Sequence, residues 1–280
     1  MSEAATDERP LVEIAPTKGW RALDLAEMFR FRELLGVLVW RDVKVRYRQT
    51  LLGVLWVVAQ PLMTMAIFTI LMNRVAGIQA DGGVPYPVFI LSGLVPWTFF
   101  STAVAAASNS LLGSSHLISK VYFPRMIIPA SAVMGGLVDL VVTLVLVGIL
   151  CIWYGTGFGA SLLLLPLIAL LTTALAFGCG LWLSSLNVEY RDIRVIIPFV
   201  LQIWMYATPV AYPARVLPEE IRAIVRANPM TGLVESFRAA ILGTPLPWRA
   251  LGYSTLVAAI IVITGAFYFR RVERQFADLL

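Results

Sequence analysis

The side chains able to do chemistry are few in this sequence, and their spacing argues against most of it. The single histidine, His116, has no second imidazole to share a zinc ion or a proton, and it reads as a polar loop residue. Cys151 and Cys179 both fall in apolar stretches without metal-ligand spacing, so they read as packing thiols, and no metal site is expected. Glu189 and Asp192 are the one acid pair placed for general acid–base work at a membrane surface, and their neighbours Arg191 and Arg194 make an ion-paired loop of them. No G-x-x-x-x-G-K-[ST] loop occurs, so the chain has no such cradle for the phosphates of ATP. Asp139 is the sole acidic residue within the long apolar runs. One carboxylate is too little for a proton relay, and it is expected to make a helix-to-helix hydrogen bond.

Aromatic residues beside polar ones suggest binding without bond-making. Trp97, Phe99 and Phe100 cluster in one polar-tinged apolar segment, and Trp204, Tyr206 and Tyr212 in another. Rings near headgroups anchor membrane helices. Rings beside Ser, Gln and Asn also suit the C–H faces of sugars, whose hydroxyls bond to the polar groups. These six residues are the candidate glycan path.

The elements that hold these residues follow from composition. Hydrophobic residues make up 59% of the chain and charged ones only 14%, with the charges gathered into blocks. Long uncharged runs of about 20 residues are what a hydrocarbon slab demands. Six segments meet or approach that length: 52–73, 88–110, 127–152, 161–186, 195–212 and 249–270. They predict an all-α integral membrane protein with six transmembrane helices. The second segment contains Ser92, Gly93, Pro96, Ser101, Ser108 and Asn109, and the fifth is short with Gln202 and Pro209. Both are expected to face protein or a water-filled path and not lipid. Between segments five and six, prolines punctuate a loop over 213–248, and 218–227 and 229–242 read as two short re-entrant helices. The second would bury Met230, Leu233, Val234, Phe237 and Ile241.

Charge sets orientation. Nine basic residues precede the first segment, and those between segments two and three, between four and five, and after six bring that side to 16 of the 22. The positive-inside bias places both termini in the cytoplasm. The excess of 22 basic over 17 acidic residues is thereby accounted for by topology, and no nucleic-acid partner is expected. Glu3, Asp7, Glu8 and Glu13 interrupt the start, so no signal peptide is expected. Residues 1–20 read as a flexible cytoplasmic tail, 21–50 as an amphipathic helix in the cytoplasmic interface, and 51–280 as the membrane domain. On a helix of about 100° per residue, Arg30, Glu33, Arg41, Lys44 and Arg48 share an arc of about 80°. Leu34, Leu35, Leu38, Val39, Val43 and Val45 occupy the neighbouring arc, interrupted by Arg32, Asp42 and Arg46.

Several motifs carry a family resemblance. The run from Leu38 to Thr50 (LVWRDVKVRYRQT), with Leu52-Gly53, Trp56 and Gln60-Pro61, resembles the first-span signature of ABC-2 type permeases. The likeness continues in Leu91-Ser92-Gly93-Leu94-Val95-Pro96-Trp97, in the run from Leu117 to Arg125, in the run from Asn187 to Ile193, in Pro209-Val210-Ala211-Tyr212 and in Asn228-Pro229-Met230. It is closest to the polysaccharide and teichoic-acid export branch, which includes the O-antigen permease.

The resemblance implies a homodimer of six-span subunits in the cytoplasmic membrane, working with two ATP-binding cassette ATPase subunits. ATP and magnesium would sit on those partners, this chain binding no cofactor and being no enzyme. The cargo would be a lipid-linked polysaccharide of O-antigen, capsule or teichoic-acid type. By match, 113–124 would be a coupling helix seated on the ATPase, with Leu117, Ile118, Lys120, Tyr122, Phe123 and Arg125 as its contacts. Glu189, Arg191 and Asp192 would give a second contact over 187–194. Arg30, Arg41, Lys44 and Arg48 would shape the cytoplasmic entrance. The residues argue the same way, since Leu117, Ile118, Val121, Tyr122 and Phe123 look exposed on a cytoplasmic loop, as a docking face would. Two alternatives are an ABC-2 permease for a small lipid or drug, and a membrane enzyme acting on polyprenyl-linked sugars.

Overall fold

The computed structural model describes residues 29–48, 54–120, 123–190, 192–273 and Phe276. The tail 1–20 and the first part of the amphipathic helix, 21–28, lie outside the described residues. What is described is helical, without a β-strand among the described residues. In chain order the elements are α1 (Arg32–Arg48), α2 (Val54–Phe68), α3 (Tyr86–Gly113), α4 (Ser115–Lys120), α5 (Ile127–Trp153), α6 (Leu165–Glu189), α7 (Ile193–Tyr206), α8 (Glu219–Arg226), α9 (Pro229–Leu242) and α10 (Trp248–Val272). The first apolar run extends α2 as a π-helix over Thr69–Val75, and a 3-10 turn over Ala160–Leu164 leads into α6. Helices are expected here because a chain in hydrocarbon must satisfy its backbone polar groups within each segment.

Among the described residues, five helices are long and apolar enough to cross a bilayer: Leu55–Val75, Tyr86–Gly113, Ile127–Trp153, Ala160–Glu189 and Trp248–Val272. The fifth apolar segment of the sequence forms α7, which has 14 residues. At 1.5 Å per residue it is about 21 Å long, short of a hydrocarbon core of about 30 Å. The helix closes at Tyr206 ahead of Pro209, whose ring disfavours α geometry in the residue before it.

α3 is the axis of the subunit. In its most apolar stretch 78% of residues are buried, against 6% for Leu55–Val75. Small residues allow this, since in a membrane close backbone approach replaces the hydrophobic drive between helices. Ala107 sits so near Gly180 that a Cβ on the glycine would lie 2.6 Å from its methyl carbon. The same device joins α6 to α10: a Cβ on Gly178 would stand 2.8 Å from the Val262 nitrogen, and one on Gly265 would stand 2.8 Å from the Gly178 carbonyl oxygen. The burial expected of the second apolar segment is found in α3. Within the subunit α7 buries only Ile197 and Leu201 and leaves Val195, Phe199 and Ile203 exposed.

The helices over Glu219–Arg226 and Pro229–Leu242 lie where the proline-punctuated loop was read. Met230, Leu233, Val234, Phe237 and Ile241 all join the main core through α9.

Candidate functional site

Three polar seams cross the apolar bundle. The first joins α1 to α5. The inward face of α1 carries Leu34, Leu35, Leu38, Val39, Asp42, Val43 and Arg46, with Leu38 buried, while Trp40 and Val45 are exposed. Asp42 and Arg46, which interrupt the apolar arc in the sequence, are thus its polar contacts. Ser131 donates to Asp42 Oδ2 at 3.2 Å, and Arg41 pairs with Asp42 at 2.8 Å. Arg46 Nη1 and the Tyr47 hydroxyl both donate to the Asp139 carboxylate. Asp139 therefore makes the helix-to-helix hydrogen bond expected of it, and an ion pair besides. Burial first, and then the Asp139 carboxylate, push the Tyr47 phenol above its ordinary range, so it keeps its proton and donates. Asp139 lies about 18 Å along α5 from Ile127, at 1.5 Å per residue. Arg30, Lys44 and Arg48 are exposed, and Arg41 is half-buried.

Two clefts flank the seam. One, of about 170 Å³, is lined by Gln60, Thr98, Ser101, Thr102, Asp139 and Thr143 together with Trp56 and Phe99. The other, of about 250 Å³, is lined by Arg41, Asp42, Arg46, Asn109, Ser110 and Ser114. The first presents hydroxyl, amide and carboxylate groups and the second adds guanidinium groups, an inventory that suits hydrogen bonding of a polyol. Of the six aromatic path candidates, Trp97, Phe99 and Phe100 are buried, and Phe99 alone of the three lines the cleft with Thr98 and Thr102. Trp204 is half-buried, edge-on to Phe100 with ring centres 5.1 Å apart and to Trp97 at 6.4 Å. Tyr206 is exposed, and its carbonyl accepts from the Tyr212 hydroxyl at 2.8 Å.

The second seam lies where α5 starts and α10 ends. Arg125 Nη1 donates to the Glu273 carbonyl at 2.6 Å, and Arg270 pairs with the Glu273 side chain at 3.4 Å. Phe123, expected at the surface, is 6% exposed, clustered with Met126, Ile127, Phe269 and Phe276. After Phe123 the chain turns into α5, the Ile127 amide donating to the Pro124 carbonyl at 3.0 Å. Leu117 packs at the edge of the same cluster, while His116 and Lys120 are exposed. Tyr122, Val121 and Arg191 lie outside the described residues, as does the side chain of Ile118. Glu189 and Asp192 are exposed, Glu189 accepting from the Tyr268 hydroxyl at 3.2 Å. Asn187 pins α6 to α3, donating to the Ser108 carbonyl at 2.8 Å.

The third seam is at the opposite end. Asn228 caps α9, accepting from the Met230 amide at 3.0 Å and from Trp204 Nε1 at 2.8 Å, and donating to the Thr208 hydroxyl at 2.9 Å. Arg238 is only 8% exposed. It donates to the carbonyls of Phe89, Pro209 and Val210 at 3.3, 3.1 and 2.9 Å, with its guanidinium carbon 3.8 Å from the centre of the Phe89 ring. A Cβ on Gly93 would lie 2.4 Å from Arg238 Nη2, so the glycine of the Leu-Ser-Gly-Leu run makes room for this cation. Charge counting along the sequence treats Arg46 and Arg238 as topology markers alone, because the partners that bury them are distant in the chain.

Comparison with known proteins agrees with the motifs. The family model described as ABC-2 type transporter matches residues 33–242. An O-antigen export system permease protein RfbA of Myxococcus xanthus is 30% identical over 90% of this chain and 97% of its own length. One of the same name from Klebsiella pneumoniae is 28% identical over 89% of this chain and 95% of its own. The polysialic acid transport protein KpsM of Escherichia coli is 23% identical over 83% of this chain and 91% of its own.

Proposed function

This chain belongs to the ABC-2 type transporter family, and from that premise we propose that it is the membrane permease subunit of an ATP-driven exporter moving lipid-linked polysaccharide across the cytoplasmic membrane. The observation that carries this reading is its likeness, over nearly its whole length, to permeases named for O-antigen and polysialic acid transport. Two copies form the channel, α7 serving as the fifth of six spans and α8 with α9 re-entering the outer face. Both termini are cytoplasmic. The helix over Leu55–Val75 and α7, which bury the fewest residues within the subunit, offer the faces for this pairing. The glycan passes the hydroxyl-bearing cleft beside Asp139 and the rings of Trp204, Tyr206 and Tyr212, a reading supported by the hydrogen-bonding groups that line the cleft. The basic residues of α1 border its cytoplasmic entrance.

Work reaches the channel by contact. Mg-ATP is bound and hydrolysed on two separate ATPase subunits, which seat against α4 and the turn to Arg125, with Glu189 and Asp192 as a lesser contact. In reconstituted liposomes the chain alone is expected to move no labelled lipid-linked glycan, while adding the ATPase and Mg-ATP starts transport. Sustained pumping by the chain without a second subunit overturns this reading.

A further inference from the structure

Where α10 begins, a cleft of about 760 Å³ opens between α8, α9 and the first turns of α10. Four guanidinium groups line it, those of Arg215, Arg222, Arg226 and Arg249, against the carboxylate of Glu235. Glu219, on α8, pairs with Arg222 at 2.8 Å and with Arg226 at 3.5 Å. Counting both acids still leaves the cleft positive.

Its cations are not equivalent. Arg215 and Arg222 are engaged by backbone: Arg215 donates to the carbonyls of Gln79 and Ala80, and Arg222 to those of Arg215 and Leu217. Arg226 is exposed and, among the described residues, is held only by its long pair to Glu219. Arg249 is exposed and makes no hydrogen bond or ion pair among the described residues. Several planar forks around one cavity suit a tetrahedral oxyanion, which accepts two hydrogen bonds from each.

A separate observation says what carries that anion. From Arg249 an exposed apolar stripe runs along α10 at spacings of three and four residues: Tyr253, Leu256, Ile260 and Ile263. At its head Trp248 is 62% exposed, the placement of a ring at headgroup depth. A cationic cleft at the top of an apolar track describes an amphiphile with a phosphate head and hydrocarbon tails.

We propose that this cleft binds the phosphate headgroup of an anionic membrane phospholipid, with its acyl chains lying along the α10 stripe. The net positive charge disfavours headgroups that carry an ammonium. The site requires only that α10 crosses a membrane, so it stands or falls apart from glycan export.

Native mass spectrometry of the full-length chain, with whatever subunits co-purify, tests it. Phosphatidylglycerol should be retained about tenfold more tightly than phosphatidylcholine, and the double variant Arg226→Gln/Arg249→Gln should lose that preference. Both side chains are exposed, and an unchanged unfolding temperature checks that the variant is folded. Glycerophosphoglycerol and inorganic phosphate, which lack tails, should compete at least about a hundredfold more weakly. Equal retention of the two lipids, full retention by the variant, or equal competition by free phosphate each overturns the proposal. Displacement by a polyprenyl phosphate binding more tightly than phosphatidylglycerol overturns the choice of phospholipid.

Discussion

At the scale of single residues, Asp139 shows how a membrane protein keeps a carboxylate far from a helix end. Arg46 and Tyr47 reach it from α1, so charge and hydrogen-bonding capacity are both met. Removing one partner leaves the other ion poorly solvated. Arg46→Met is therefore expected to lower stability in detergent by about 2 kcal/mol, and Asp139→Leu added to it should restore most of that loss. Thermal unfolding of the two single variants and the double checks this, and additive losses would show that the pair is not coupled. Half of this arrangement was legible in the sequence. A lone acid in apolar surroundings must find a donor, so a bond between helices could be expected of Asp139. The donor could not be named, because helical periodicity sorts Arg46 into an arc without saying what faces it. Arg238 was hidden for the same reason: three carbonyls and a ring from distant segments neutralise its burial.

At the scale of elements, the ATPase docking proposed for α4 and the segment after it can be separated from anchoring of the subunit's own core. Phe123 is buried against Met126 and Phe269, so Phe123→Ala should cost about 3 kcal/mol of stability and depress assembly with the ATPase only through that loss. Lys120 is exposed, so Lys120→Glu should leave the unfolding temperature unchanged and weaken co-purification of the ATPase. Measuring both quantities on both variants separates the roles, and retention of the ATPase by Lys120→Glu would count against a docking surface here. The sequence marked this segment as apolar and short, which is visible in composition. It could not distinguish a ring that faces a partner from one tucked under its own turn, since both are apolar residues between two helices. α7 is a similar case: 195–212 reads as one mostly apolar segment, yet the helix ends at Tyr206 ahead of Pro209.

At the scale of the whole molecule, packing is uneven. α3, α6 and α10 meet through glycine and alanine, whereas the helix over Leu55–Val75 and α7 contribute little to the interior. Gly178→Val should force α6 and α10 apart, because its first side-chain atom already falls 2.8 Å from the Val262 nitrogen. A fall of several degrees in unfolding temperature is expected, larger than for valine at Gly148, which has open space around it. Equal effects at the two positions would show that the contact is slack.

The glycine contact between α6 and α10 also has a mechanical meaning. Backbone against backbone leaves no compressible layer of side chains to absorb sliding, so these two rods behave as a single welded strut. If the proposed channel widens, the first span and α7, which bury the fewest residues, are the elements expected to move against that strut. Spin labels across the weld should keep one fixed separation through the transport cycle, and labels from the strut to α7 should not.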